Sequence, residues 1–176
     1  MNAPSAEFDY LGIPISPGVY ILHLVLPRPH FLQVGKLGSY DLLPGDYLYV
    51  GSASGPGGLR ARLGRHLHGS DRRHWHIDWL RLVATPRGYF YLESREQLEC
   101  VWNQALAHQP GACIPVPGFG ASDCNRKPTA CAAHLHRFEL GFDEDLIRDS
   151  FPGGSESKIV YRKFTPNFQP DFSDIE

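Results

Sequence analysis

Arginine and histidine crowd one segment of this chain, and both side chains can bind phosphate or carry protons. The segment covers residues 57–76, opens on two glycines, and contains Arg60, Arg62, Arg65, His66, His74 and His76. A short apolar and aromatic run at residues 47–53 is typical of a strand, and the Gly/Ser/Pro cluster after it is typical of a loop. A strand, a glycine loop and a basic helix bring cations and backbone N–H groups up to a phosphate.

Positive charge is concentrated around that segment, although the whole chain has a formal net charge of -2. Residues 57–95 hold 8 arginines and 3 acidic residues, whereas residues 139–176 hold 4 basic and 9 acidic ones. Local basic clustering is the electrostatic footprint of a nucleic-acid or phosphate binder. A solvated arginine face is the alternative interpretation, so charge alone does not decide the function.

Length and composition predict one compact domain with a tail. The chain has 176 residues, 42% of them hydrophobic and 20% charged, as in ordinary globular proteins. No apolar run approaches the ~18 residues of a membrane span, and the N-terminus lacks a secretory pattern. We therefore expect a cytoplasmic protein, with reduced cysteines and no membrane partner. The expected divisions are a lead-in (1–16), the domain (17–141) and an irregular, acidic, aromatic-containing extension (142–176).

The hydrophobic pattern predicts an α+β fold, with a small and mostly antiparallel central sheet flanked by helices. Residues 18–26 form a nearly continuous apolar run, which predicts a buried central strand. Residues 30–34 are expected to form a hairpin with it, and a loop is expected around Gly38. Residues 46–51 and 88–92 are predicted to be further strands, and residues 131–140 a last strand or a short helix.

Two helices are predicted, and a third segment is ambiguous. Leucines recur every four residues across residues 57–68, which indicates a helix with one apolar stripe. Ser94 and Gln97 have the spacing of a capping box, which predicts a helix over residues 94–108. Its expected buried stripe is Leu98, Val101, Trp102, Ala105 and Leu106. Residues 74–80 fit both helical and strand periodicity.

Two tyrosine motifs resemble those of the GIY-YIG nuclease family. A Gly-Val-Tyr at residues 18–20 and a Tyr-Val-Gly at residues 49–51 place the two tyrosines 29 positions apart. In that family a loop follows, then a helix bearing an essential arginine, with a tyrosine or histidine one turn later. A later helix carries the metal-binding glutamate. The resemblance assigns these positions to Arg62, His66 and Glu99.

Longer strings resemble one branch of that family, the predicted Uri-type endonucleases. They cover residues 49–53, 55–59, 65–66, 74–80, 118–124 and 134–135. The branch usually carries a tight Cys-x-Cys-x-x-His near its end, whereas here six residues separate Cys124 from Cys131. The family's final asparagine has no clear counterpart, since Asp123 and Asn125 both lie near its place. The resemblance implies a metal-dependent endonuclease that cleaves DNA in repair or in the processing of structured DNA.

Phosphodiester hydrolysis would give each of these side chains a role. Glu99 would hold Mg²⁺ or Mn²⁺, which keep most of their waters and need few protein ligands. Arg62 would donate two parallel hydrogen bonds to the scissile phosphate. Tyr20, by the family's assignment, or His66, by its lower intrinsic pKa, would take the proton of the attacking water. Tyr49 would position these groups.

The expected partner is DNA, with RNA an open alternative and protein partners unknown. The predicted nucleic-acid contacts are Gly51, Ser52, Gly58, Arg60, Arg65, His74 and His76. Two other classes of function stay open. One is a domain that binds nucleic acid through the same arginine-rich face without cutting it, and the other is a zinc-structured interaction module.

Each residue also has a structural interpretation. Tyrosines on strands, such as Tyr20 and Tyr49, pack in cores more often than they catalyse. Arg62 on its own would be a solvated helix residue, and Glu99 could simply pair with an arginine. We expect the polar residues of segment 74–78 to have a structural or substrate-contacting role, with metal binding as the alternative.

The cysteines have a minority interpretation as a zinc site. Cys124, Cys131 and His134 are ligand types for zinc, but three ligands at irregular spacing are a weak pattern. Cys100 is interpreted as a buried apolar residue of its helix. Magnesium or manganese at Glu99 is therefore the expected cofactor.

Overall fold

A computed structural model describes residues 12–69, 72–124, 130–152 and 159–164 of the chain. These residues form eight strands and four helices. The strands are β1 (Gly18–Leu26), β2 (His30–Val34), β3 (Gly38–Leu42), β4 (Gly45–Ala53), β5 (Thr85–Glu93), β6 (Ala112–Cys113), β7 (Leu135–Phe138) and β8 (Val160–Lys163). The helices are α1 (Gly58–His68), α2 (His76–Leu80), α3 (Glu99–Ala107) and α4 (Glu144–Ser150).

The main sheet has six strands in the order β6-β7-β4-β1-β5-β8, and every pairing is antiparallel. The predicted α+β class, with an antiparallel sheet flanked by helices, is confirmed. β1 lies between β4 and β5 and is buried at all positions but Val25, as its unbroken apolar run predicts. Residues 131–140, predicted to be a last strand or a short helix, contain β7, but β8 follows it in the chain.

The sheet separates two apolar layers. Tyr20, Tyr49 and their neighbours face α1 and α2, in a core that also holds Phe119. The alternate residues of the same strands face α3 and α4, where Trp102 is fully buried. This alternation follows from the two-residue period of a strand. Functional side chains on the first face must therefore lie next to α1.

The expected hairpin between β1 and β2 was wrong. β2 pairs with β3 in a separate two-stranded sheet, in which Leu32 lies opposite Tyr40. Pro27 and Pro29 lie between β1 and β2, and proline has no N–H to donate to a ladder. The chain therefore leaves the main sheet here, and the residues after Gly38 form the partner strand in place of the expected loop.

The predicted start of α3 was also wrong. The helix begins at Glu99 and not at Ser94, whose hydroxyl accepts a hydrogen bond from the Glu96 N–H at 3.0 Å in a local turn. The predicted stripe holds for the buried Trp102 and Leu106, but Val101 is 41% exposed. As a result, Glu99 is the first residue of the helix, and it lies beside one end of the sheet.

The ambiguous segment at residues 74–80 contains the short helix α2, so its strand alternative was wrong. Beyond residue 142 the chain contributes α4 and the edge strand β8, which pairs with β5. The extension is therefore more regular than expected over these residues. Among the residues that the structure describes, no helix combines the length and the apolar character needed to span a bilayer.

Candidate active site

The two tyrosines meet because their strands are neighbours. In the β1–β4 register Tyr20 lies opposite Gly51, two residues after Tyr49, so both phenols point to the α1 face. The Tyr20 ring lies directly over Gly51: a Cβ built there would be 2.4 Å from the Tyr20 hydroxyl oxygen. The glycine of the second motif is therefore required by the tyrosine of the first.

Helix α1 brings Arg62 and His66 to the tyrosines. Leu59, Leu63 and Leu67 are buried against the sheet, and this stripe fixes the rotation of the helix. His66, one turn after Arg62, then lies in the core beside Tyr20. The predicted helix and its apolar stripe thus position the arginine and the histidine together.

The lead-in accepts hydrogen bonds from backbone N–H groups in the first turn of α1, so these donors are not open to a ligand. The N–H groups of Leu59 and Arg60 donate to the carbonyls of Ser16 and Pro14, both at 3.0 Å. The Arg60 Nε donates to the Ile13 carbonyl at 2.8 Å. A Cβ at Gly58 would lie 2.2 Å from the carbonyl oxygens of residues 15 and 16. The close approach that needs this glycine is therefore to the chain itself.

All five predicted catalytic residues line one cleft of about 180 Å³. The lining consists of Tyr20, Tyr49, Gly51, Ser52, Arg62, His66, His74, Trp75, His76, Glu99, Gly120, Ser122 and Asp123. Glu99 is the first residue of α3, which packs on the other face of the sheet, and it reaches the cleft near the start of β7, where Leu135 lies opposite Tyr49. The Ser52 hydroxyl donates to Glu99 Oε2 at 2.8 Å and holds the carboxylate there.

Tyr20 and His66 form a buried hydrogen-bonded pair. The Tyr20 hydroxyl lies 2.9 Å from His66 Nε2. Burial raises the pKa of Tyr20 well above its usual value, and burial together with Arg62 lowers the pKa of His66 to about 3. Burial, followed by Glu99, also raises the pKa of Tyr49. Tyr20 and His66 are therefore both neutral at pH 7. The other ring nitrogen, His66 Nδ1, has no hydrogen bond among the described residues.

Trp75 lies against the two arginines of the site. The guanidinium carbons of Arg62 and Arg65 lie 4.2 and 4.0 Å from its ring centroid. Such stacking restricts where a guanidinium can point. The arginines also line a second groove of about 270 Å³ that continues from the cleft past Gly58. Sequence reasoning gave Trp75 no role, because stacking between α1 and a distant residue leaves no spacing pattern.

Asp78 organises the segment that carries Trp75. Its carboxylate accepts two hydrogen bonds from Arg65, at 2.9 and 3.1 Å, and two from the backbone N–H groups of His74 and Trp75. Burial raises the pKa of Asp78, but these hydrogen bonds outweigh it and hold the pKa below the usual value. Asp78 is thus a structural anion, which matches the structural interpretation of segment 74–78.

The loop before Cys124 closes the far side of the cleft. His76 Nδ1 accepts a hydrogen bond from the Gly120 N–H at 2.9 Å. Gly120 has φ +73°, and a Cβ there would lie 2.8 Å from the Tyr49 ring. The exposed Asp123 lies on the same rim, whereas Asn125 lies outside the described residues.

A group of thiols and one imidazole adjoins the cleft. Cys100, Cys124, Cys131 and His134 offer ligand atoms that all lie within 4.8 Å of one another, so this group could bind a metal. Cys100, expected to be a buried apolar residue of its helix, is half-buried and belongs to this group. His134 Nδ1 also lies 3.1 Å from Glu99 Oε1.

The predicted nucleic-acid contacts divide into two sets. Gly51, Ser52, His74 and His76 line the cleft, and Gly58 and Arg65 line the adjoining groove. Arg60 is held by the lead-in, as described above, and lines neither.

Comparison with known proteins gives a family but no characterised relative. The family described as "Domain of unknown function DUF123" matches residues 19–151, about three quarters of the chain. No curated protein and no solved structure matches. The matched residues include the whole cleft. The chain therefore belongs to the family of the domain of unknown function DUF123.

Proposed function

We propose that the protein is a metal-dependent endonuclease that hydrolyses phosphodiester bonds in DNA. The observation that carries this proposal is the convergence of two phenols, a guanidinium, an imidazole and a carboxylate on one cleft. The resemblance of the two tyrosine motifs to the GIY-YIG family, and of the longer strings to its Uri-type branch, supports the same chemistry. Structured or damaged DNA is the substrate class that this resemblance suggests.

The cleft suits a hard divalent cation. Glu99, Ser52, Ser122 and Asp123 provide oxygen atoms at its rim, and the thiols lie outside its lining. Magnesium and manganese prefer such oxygen ligands. Glu99 would hold the cation, which when bound would stabilise negative charge on the phosphate oxygens and help to activate water.

Arg62 would bind the scissile phosphate. Its stacking on Trp75 limits its motion, so less side-chain entropy is lost when it binds substrate. A planar guanidinium donates two parallel hydrogen bonds to phosphate oxygens, and these strengthen as charge develops in the transition state. Arg65 in the adjoining groove would contact the next part of the backbone.

Tyr20 and His66 would move the proton of the attacking water. Tyr20 is poor at holding a negative charge because burial raises its pKa, and its 2.9 Å partner His66 is a neutral imidazole whose own pKa is lowered to about 3. As Tyr20 takes a proton from water, its own proton passes to His66. The relay replaces a buried phenolate by a buried imidazolium, which the lowered pKa of His66 also disfavours, so we expect the transfer to depend on the negative charge of the bound phosphate.

A domain that binds nucleic acid without cutting it is the second candidate. The groove lined by Arg62 and Arg65 would serve either function, but a carboxylate facing a polyanion is unfavourable unless a cation lies between them. The partly exposed Glu99 therefore favours the nuclease. The cytoplasmic location and the DNA partner stay predictions.

Cleavage of end-labelled duplex and branched DNA, with Mg²⁺ and without it, tests the proposal. Glu99→Gln keeps the shape of the side chain and removes its charge, and Arg62→Ala removes the phosphate ligand. Each should lower the single-turnover rate by about 10²–10³-fold while DNA binding persists. Glu96→Gln and Arg28→Ala, both at exposed positions, are the matched controls. Cleavage by Glu99→Gln at the wild-type rate would refute the assignment, and binding without cleavage by the wild type would favour the second candidate.

A further inference from the structure

The Cys/His group draws on three separate parts of the chain. Cys100 is the second residue of α3, Cys124 follows the loop that closes the cleft, and Cys131 and His134 precede β7. The sulfur atoms of Cys100 and Cys124 are 3.3 Å apart, and Cys124 Sγ is 3.1 Å from His134 Nε2. Chain segments that share no secondary structure thus bring four soft ligand atoms to one point.

The donor set and its dimensions match a structural zinc site. Three thiolates and one imidazole are a common ligand set for tetrahedral Zn²⁺. Zinc–sulfur and zinc–nitrogen bonds of about 2.3 and 2.1 Å imply ligand separations of roughly 3.6–3.8 Å. The 3.1 and 3.3 Å contacts and the 4.8 Å upper limit lie on either side of that range. Side-chain movements of less than about 1 Å would therefore accommodate the ion.

Apolar packing gives this region little other support. The cysteines form a small cluster with Ala121 that is separate from the two large apolar layers of the sheet. Cys124, Cys131 and His134 are all at least nine-tenths buried, so water cannot easily satisfy their polar atoms. Small clusters of this kind are commonly held by a disulfide or a metal. No disulfide joins the four cysteines.

We propose that Cys100, Cys124, Cys131 and His134 bind one Zn²⁺, and that this ion fixes the carboxylate of Glu99 in the cleft. With His134 Nε2 on the metal, the proton of the neutral ring is on Nδ1, which faces Glu99 Oε1 at 3.1 Å. His134 Nδ1 is buried and has no hydrogen-bond partner among the described residues, so its N–H would be available to Glu99. A carboxylate that accepts from a zinc-bound histidine is a recurrent arrangement.

The ion would join both walls of the cleft. It ties the first turn of α3, which carries Glu99, to the loop that contributes Gly120 and Asp123. The part of the inference that concerns Glu99 rests on the proposed nuclease function, whereas zinc binding itself does not. Sequence spacing pointed away from this site because its fourth ligand, Cys100, lies 24 residues before Cys124.

Metal content and cobalt spectroscopy of the full chain test the zinc site without reference to activity. We expect one zinc ion per chain. After Co²⁺ replaces the zinc, we expect the absorption spectrum to show the charge-transfer and intense d–d bands of a tetrahedral cobalt–thiolate site. Cys124→Ser and Cys100→Ser should lose both. Cys113→Ser should retain both, because Cys113 is exposed and outside the group. If the wild type shows neither zinc nor that cobalt spectrum, or if all three variants keep their zinc, the proposal is wrong; the wild-type measurement stands even if a variant fails to fold.

The link to Glu99 is tested by a Mg²⁺ titration of DNA cleavage with zinc-loaded and zinc-depleted protein. Loss of a supporting ligand shell typically weakens a site 10–100-fold, so depletion should raise the half-saturating Mg²⁺ concentration about 10-fold or more. An unchanged titration curve would refute the link. A zinc-loaded protein that never cleaves DNA would refute the nuclease and leave the zinc site intact, whereas a protein that never takes up zinc but cleaves DNA in Mg²⁺ would do the reverse.

Discussion

Replacing Gly51 by alanine would put a methyl group where the Tyr20 ring now lies. The added Cβ would be 2.4 Å from the Tyr20 hydroxyl oxygen and 2.5 Å from Cζ, whereas ordinary contacts lie at 3.4–4 Å. Tyr20 is only 1% exposed, so its ring is almost entirely surrounded by other parts of the protein. The phenol must therefore move by about 1 Å, which lengthens its 2.9 Å hydrogen bond to His66.

The expected effects follow from that displacement. Overpacking of a buried site costs about 2 kcal/mol, which for a domain of this size lowers Tm by about 4–8 °C. A reacting group misplaced by about 1 Å can cost about 10²-fold in rate. Gly51→Ala should therefore combine a moderate loss of stability with a larger loss of cleavage, measured well below the variant's Tm.

The assay compares single-turnover DNA cleavage and thermal unfolding for Gly51→Ala and Gly12→Ala. The control glycine lies in the lead-in, outside the linings of the cleft and the groove, where an added Cβ would meet no atom within 4 Å and no positive φ is needed. It should behave as the wild type in both measurements. If Gly51→Ala cleaves DNA within about twofold of the wild-type rate, Tyr20 does not need its present position, and the proton-transfer role assigned to it fails.

Three further results are expected. Asp78→Asn leaves Arg65 and two backbone N–H groups short of an acceptor and should cost about 2 kcal/mol in denaturant unfolding; a loss below about 0.5 kcal/mol would contradict the role of Asp78. Trp75→Leu should weaken DNA binding about 5–10-fold with an unchanged salt slope, because both arginines remain; a shallower slope would show that a phosphate contact was lost instead. His66 stays neutral in the folded protein down to about pH 3, whereas the unfolded chain takes up its proton near pH 6.5. Stability from this residue is thus complete above pH 6.5 and falls between pH 6.5 and 3, by up to ~1.4 kcal/mol per pH unit. His66→Gln should flatten that slope in pH-dependent denaturation, and an unchanged slope would contradict the burial argument.

Periodicity alone predicts the elements that hold most of the site. The apolar run of β1 and the leucine repeat of α1 each have one dominant pattern, so their positions are readable from sequence. They place Tyr20 and His66 on facing surfaces. Tyr49 follows once β4 is recognised as the neighbour of β1.

Other features depend on competing local hydrogen bonds or on contacts with distant parts of the chain, and a local sequence pattern shows neither. Serine is a common helix-capping residue, but the Ser94 hydroxyl accepts a hydrogen bond within a local turn, and the helix begins five residues later. The β1–β2 connection is short enough for a hairpin, but its prolines redirect the chain. Cys100 and Trp75 are recognised only through distances across the fold, since their partners lie on other elements.

The central claim is that Arg62 and Glu99 belong to one active site. It is tested most directly by the single-turnover rates of DNA cleavage in Mg²⁺ for Arg62→Ala, Glu99→Gln and the double variant. Residues that act as a unit give strongly non-additive losses. We predict that each single variant loses about 10²-fold or more, and that the double variant is little slower than the worse single one. Wild-type rates in either single variant, or a double loss equal to the product of the two single losses, would contradict the account.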